Sequence, residues 1–149
     1  MTEILFYHLT ESTLEKALPE LLEKSLERGW NVVVQTGGEE RRDALDNHLW
    51  TFRDDSFLAH GVDSEKQPDD QPVFLTVTET NPNNAAIRFF VDGASPGDIS
   101  AYERVVVMFD GHDEEQLAQA RLQWKKWKDD GGKLTYWQQT SEGGWKRQS

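Results

Sequence analysis

The chain has 149 residues, no cysteine, and 27 acidic against 16 basic side chains, for a formal charge of −11. That length reads as one domain spanning residues 1–149, able to bury about two-thirds of its unfolded surface. The missing thiols exclude disulfides, thiolate metal sites and cysteine nucleophiles, and the charge opposes direct contact with DNA or an anionic membrane.

The opening Met1-Thr2-Glu3-Ile4-Leu5-Phe6 carries no basic region and no long apolar run, so it reads as a strand and not as a signal peptide. No stretch approaches the roughly 20 apolar residues needed to span a bilayer. A soluble, cytoplasmic protein is expected. Ile4 to His8 is a short β-type run. The capping residues Thr10-Glu11-Ser12-Thr13 follow it, and then Leu14, Ala17, Leu18, Leu21, Leu22 and Leu26 recur at helical spacing. Gly29 closes this helix, and Pro19 inside it marks either a late first turn or a kink.

Trp30 to Gln35 is a strand with a continuous apolar centre, which suits a sheet covered on both faces. Thr36-Gly37-Gly38 turns the chain into a second helix, Glu39 to Trp50. Strand, helix, strand, helix implies βαβ crossovers and a largely parallel sheet. Residues 53–72 have few apolar and many charged side chains and read as a long loop. Val73 to Val77 and Ala86 to Val91 are strands joined by the polar turn at 80–84, and Val105 to Phe109 is another buried strand. Asp113 to Lys128 is the last strong helix, stopped by Gly131-Gly132. Leu134 to Gln138 is a final strand, and a polar tail carries Trp145.

Three signatures of an enzyme are missing. The loop after the first strand, His8-Leu9-Thr10-Glu11-Ser12, has no glycine to let backbone amides cradle a phosphate. No Walker pattern and no Gly-x-Ser-x-Gly elbow occurs. The four histidines, His8, His48, His60 and His112, form no metal-binding helical spacing. Asp110-Gly111-His112-Asp113-Glu114-Glu115 lacks the register of a calcium loop and reads as a strand-to-helix turn whose carboxylates favour the helix N-terminus.

Two places invite a binding partner. On the last helix, Leu117, Ala120, Trp124 and Trp127 fall on one side, flanked by Arg121, Lys125 and Lys128, with Lys126 pointing elsewhere. Trp124 thus stands where the apolar stripe meets a basic rim, either as half-core or as the wall of a groove for an acidic peptide with an apolar anchor. The acidic-to-basic polarity of this helix also suits its dipole. The stretch from Trp50 to His60 carries Trp50, Phe52, Phe57 and Leu58 into a polar loop. Such aromatics either fold back on the core or offer a surface.

Leu5-Phe6-Tyr7-His8-Leu9 with its following helix, Leu49-Trp50 with Ser56-Phe57-Leu58-Ala59-His60, and the closing helix with Arg121, Trp124 and Lys125 together resemble the chi subunit family of the bacterial DNA polymerase III clamp-loader assembly. The likeness runs in order along nearly the whole chain. Leu-Trp followed by Ser-Phe-x-x-His is its most specific part. It implies a three-layer α/β/α domain, Rossmann-like but without a phosphate-binding loop, with a mostly parallel sheet, no cofactor and no catalytic residue. It also implies a bridging role. One surface would bind the psi subunit, and another the acidic C-terminal tail of single-stranded DNA-binding protein, which ends in phenylalanine.

Carried over by matching positions, the tail site would use Arg121, Trp124 and Lys125, with Trp50 nearby and Lys128 on the same rim. Trp124 stands where family members usually carry tyrosine. Phe57 matches an aromatic on the psi-facing side. Two other readings compete with this adaptor. One is a nucleotide- or small-molecule-dependent enzyme on the same fold, which the missing phosphate loop opposes. The other is a direct nucleic-acid binder stacking bases on Trp124 and Trp127, which the charge opposes.

Overall fold

The computed structural model describes residues 2–11, 13–51, 60–62, 73–78, 80–81, 84–94, 96–97, 99–141 and 144–148, with backbone alone at 15, 47–51 and 60–62. In chain order the elements are β1 (Glu3–Leu9), α1 (Leu14–Glu27), β2 (Val32–Gln35), α2 (Glu39–Thr51), β3 (His60–Val62), β4 (Val73–Thr76), β5 (Ile87–Phe90), β6 (Arg104–Asp110), α3 (Glu114–Asp129), β7 (Lys133–Gln139) and β8 (Trp145–Arg147). One eight-stranded sheet runs in the order β3-β4-β2-β5-β6-β1-β7-β8. Every pairing is parallel except β7 with β8.

Strand alternation decides what each face buries. From β1, Leu5 and Leu9 join Leu14, Leu18 and Leu22 of α1 and Leu45 of α2 in one core; Val32, Val34, Val106 and Met108 fall in with them. Ile4 and Phe6 join Val33, Val105, Val107 and Phe109 in a second core, closed by Ala120 and Trp127 of α3. Helices therefore cover both faces, α1 and α2 on one side and α3 on the other, as a doubly wound α/β sandwich requires. Fully buried side chains such as Phe6, Leu18 and Phe89 each contribute about 1.5–3 kcal/mol of transfer free energy.

Two sequence expectations need correction. The loop expected over residues 53–72 contains β3, a parallel edge strand against β4; its other residues lie outside the described ones. A three-residue strand with a central glycine is too short to show an alternation, and only its pairing with β4 defines it. The polar tail also folds back. Trp145–Arg147 forms β8, antiparallel to β7 with Gln139 opposite Trp145.

Local details follow the chain's chemistry. Gly29 (φ +81°) lies just past α1 in the left-handed conformation that ends helices. Pro19 sits inside α1, not at its start, and leaves the carbonyl of residue 15 without its usual amide donor. Gly37 is dictated by crowding, because a Cβ there would collide with the Asp92 carbonyl. Gly38 has open space around it.

Candidate functional site

α3 begins at an N-cap, Asp113, whose carboxylate accepts from the amides of Glu115 (3.0 Å) and Gln116 (3.2 Å). In the preceding turn Asp110 accepts from the His112 amide at 2.9 Å, and the His112 ring meets the Thr10 carbonyl at 2.9 Å. The acidic segment is thus a strand-to-helix turn in which the carboxylates of Asp110 and Asp113 are engaged by backbone amides. Gln116 reaches back to accept from the Asp110 amide at 3.0 Å. These contacts fix the angle at which α3 leaves β6.

Along α3, Trp127 is buried on Phe6, with ring centroids 5.9 Å apart and planes at 70°. One turn earlier, Trp124 is half-buried. It meets Phe6 edge-on (5.3 Å, 77°) and Tyr136 of β7 edge-on (5.7 Å, 81°). Edge-to-face pairs of this kind contribute about 0.5–1.5 kcal/mol each beyond area burial. The register of β1 with its neighbours continues the row of rings. Phe6 lies opposite Tyr136 and His8 opposite Phe109. His8 stacks on Phe109 (4.9 Å, 27°), and its Nδ1 lies 2.7 Å from the Tyr136 hydroxyl. With the ring hydrogen on Nε2, that hydroxyl donates to Nδ1.

Arg121, Lys125 and Lys128 are exposed around this row. The guanidinium of Arg121 is close enough to act on two of the rings. Burial, then Arg121 and His112, hold the His8 imidazole below its ordinary pKa, while Asp110 pulls the other way. Burial raises the Tyr136 phenol, and Arg121 pulls it back down. The result is a half-buried indole resting on a phenol, with Arg121 acting on that phenol and Lys125 and Lys128 exposed on the same side of the helix. Chemically, such a surface suits a carboxylate beside an apolar anchor.

The structure brings Arg121, Trp124, Lys125 and Lys128 onto one side of α3. It does not bring Trp50 there. Trp50 lies in the last turn of α2, which sits with α1 on the opposite face and contacts β3 and β4. Phe57 lies outside the described residues. His8 and Tyr136 were missed from the sequence. Their alternation with Phe6 and Leu134 was visible, but not that α3 would cover that face.

The crevice at the C-terminal ends of β1 and β6, where the chain leaves toward opposite faces, is where α/β sheets commonly bind nucleotides. Here the loop after β1 is already occupied from within. The buried Gln139 side chain accepts from the amides of Thr10 (3.1 Å) and Glu11 (3.0 Å), the kind of donors that would otherwise face a phosphate. Among the described residues no helix is long and apolar enough to cross a membrane.

The fold and this crevice define a Rossmann-like α/β protein whose first loop is closed by the side chain of Gln139 and whose last helix carries exposed Arg121, Lys125 and Lys128. The family model for the DNA polymerase III chi subunit, HolC, matches residues 1–135, and the chain belongs to that family. It is similar to the probable DNA polymerase III subunit chi of Rickettsia prowazekii, 28% identical over 120 residues, covering 74% of this chain and 71% of the relative. It is also similar to the DNA polymerase III subunit chi of Pseudomonas aeruginosa, 28% identical over 108 residues, covering 70% of this chain and 75% of the relative.

Proposed function

We propose that this chain is a non-catalytic accessory subunit of a DNA polymerase III assembly, and that the α3 notch takes the acidic C-terminal tail of single-stranded DNA-binding protein. In the same reading Phe57 contributes to binding the psi subunit. One observation carries the tail site. In a chain of charge −11, exposed Arg121 stands one turn from a half-buried Trp124 that rests on Tyr136. Arg121 and a flanking lysine, Lys125 or Lys128, pair with tail carboxylates, while the terminal phenylalanine packs against the indole and phenol. Charge-assisted hydrogen bonds set the register and the anchor supplies apolar burial.

A labelled synthetic tail peptide titrated with the chain, followed by fluorescence anisotropy at low salt, tests the reading. The wild type should bind. Arg121→Ala should weaken binding by about 1.5–3 kcal/mol, the usual loss for a hydrogen bond to a charged group. No binding at low salt, or binding untouched by Arg121→Ala, overturns the tail site. Capture of single-stranded DNA in preference to the peptide would favour the base-stacking alternative instead.

A further inference from the structure

The face that carries α1 is left partly open where β1, β7 and β8 lie side by side. A cavity of about 420 Å³ opens there, within the usual size range of ligand pockets. Its floor is Leu5, Phe89 and Val106 of the sheet, and its outer wall is aromatic. Trp145 meets Tyr7 edge-on (4.7 Å, 63°), and the Trp137 ring lies 6.3 Å from Tyr7. The fold-back of β8 builds this wall, since it is what brings Trp145 over β1.

The polar side of the cavity is one-sided in charge. Its charged lining residues are Lys24, Arg28 and Arg104, all cations, in a chain where carboxylates outnumber cations 27 to 16. Arg104 is held from one end by Glu3 (2.7 Å), and its Nε is buried with no hydrogen-bond partner among the described residues. Burial raises the Tyr7 phenol, with Arg104 pulling it down and Glu3 pushing it up, so the hydroxyl shares the same charged end.

We infer that this cavity is a second peptide-docking site, on the opposite face from α3, for a partner segment that presents a carboxylate next to a large apolar side chain. The anchor fills the space between Tyr7, Trp137 and Trp145, and the carboxylate meets Arg28 and Lys24, with the charge of Arg104 at the same end. Charge complementarity selects an acidic partner. A peptide fits better than a nucleic acid because Trp145 meets Tyr7 edge-on and Trp137 is tilted 31° to it, so the rings surround a hollow and form no flat stacking platform. Trp137 and Trp145 lie beyond residues 1–135 matched by the family model.

The test uses the full chain carrying Arg121→Ala, which weakens the α3 site. A random peptide display library is selected against it, and enriched peptides are retested by anisotropy and by NMR of the tryptophan indole N–H signals. Acidic peptides with a Trp, Phe or Leu anchor should emerge and move the Trp137 and Trp145 signals while leaving Trp124 in place. They should lose at least about tenfold in affinity with Arg28→Glu, an exposed position. Trp145→Phe should lose affinity by a smaller factor, and its indole signal identifies the assignment. The inference is overturned if no selected peptide depends on Arg28, if the shifts fall on Trp124, or if a single-stranded oligothymidylate binds there more tightly than every selected peptide.

Discussion

The His8 imidazole lies flat on Phe109, with its Nδ1 at the Tyr136 hydroxyl and Gly111 so close that a Cβ there would strike the ring. Burial and the charge of Arg121 hold its pKa below the ordinary value of about 6.5. In the unfolded chain the ring regains that value, so between the two pKa values the unfolded state binds a proton that the folded state refuses. Stability must then fall as pH drops through about 6.5 toward the folded pKa, and this penalty is absent above that window. Chemical denaturation at a series of pH values should show the decline, and His8→Gln should flatten it. An unchanged slope in the variant would assign the pH dependence to other groups.

Arg88 shows what a single residue can hide. It reads as a charged interruption in an apolar strand, yet it is buried. Its guanidinium reaches Gln35, the carbonyls of Thr78 and Thr80, and the Tyr102 hydroxyl. Those acceptors come from β2, the turn after β4 and the segment before β6, so no local window could have revealed them.

At the scale of elements, the two helices that follow β1 and β6 start differently. Asp113 caps α3 with its side chain, whereas Thr13 stands at the head of α1 without a side-chain cap bond. Asp113→Ala should therefore cost about 1 kcal/mol, and Thr13→Ala much less. Equilibrium denaturation of both variants checks this, and equal losses would contradict the capping geometry. Most elements were legible because their apolar periods are long: the Leu series of α1, the valines of β2 and the Val105–Phe109 run of β6. β3 and β8 were not legible. Each has three residues, too few for a period, and each exists because a longer neighbour offers it a free edge.

For the whole molecule, the charge of −11 sets the background against which any acidic partner must bind. The exposed cations of α3 act locally, within a screening length that shrinks from about 10 Å at 0.1 M salt to about 3 Å at 1 M. Affinity for the tail peptide should fall steadily as salt rises, and Lys128→Ala should make that fall shallower. Affinity independent of salt would mean that the rim cations take no part. By itself, the sequence determined the α/β class, the parallel crossovers, the stripe-and-rim pattern of the last helix and the family resemblance, because each is written in local spacing and residue type. Only the tertiary structure decided that α2 and α3 lie on opposite faces, which separates Trp50 from Arg121, that His8 and Tyr136 join Trp124, and that β8 closes an aromatic cavity over β1. Those outcomes depend on strand order and on which face each crossover takes, and both are settled by contacts between residues far apart in the chain.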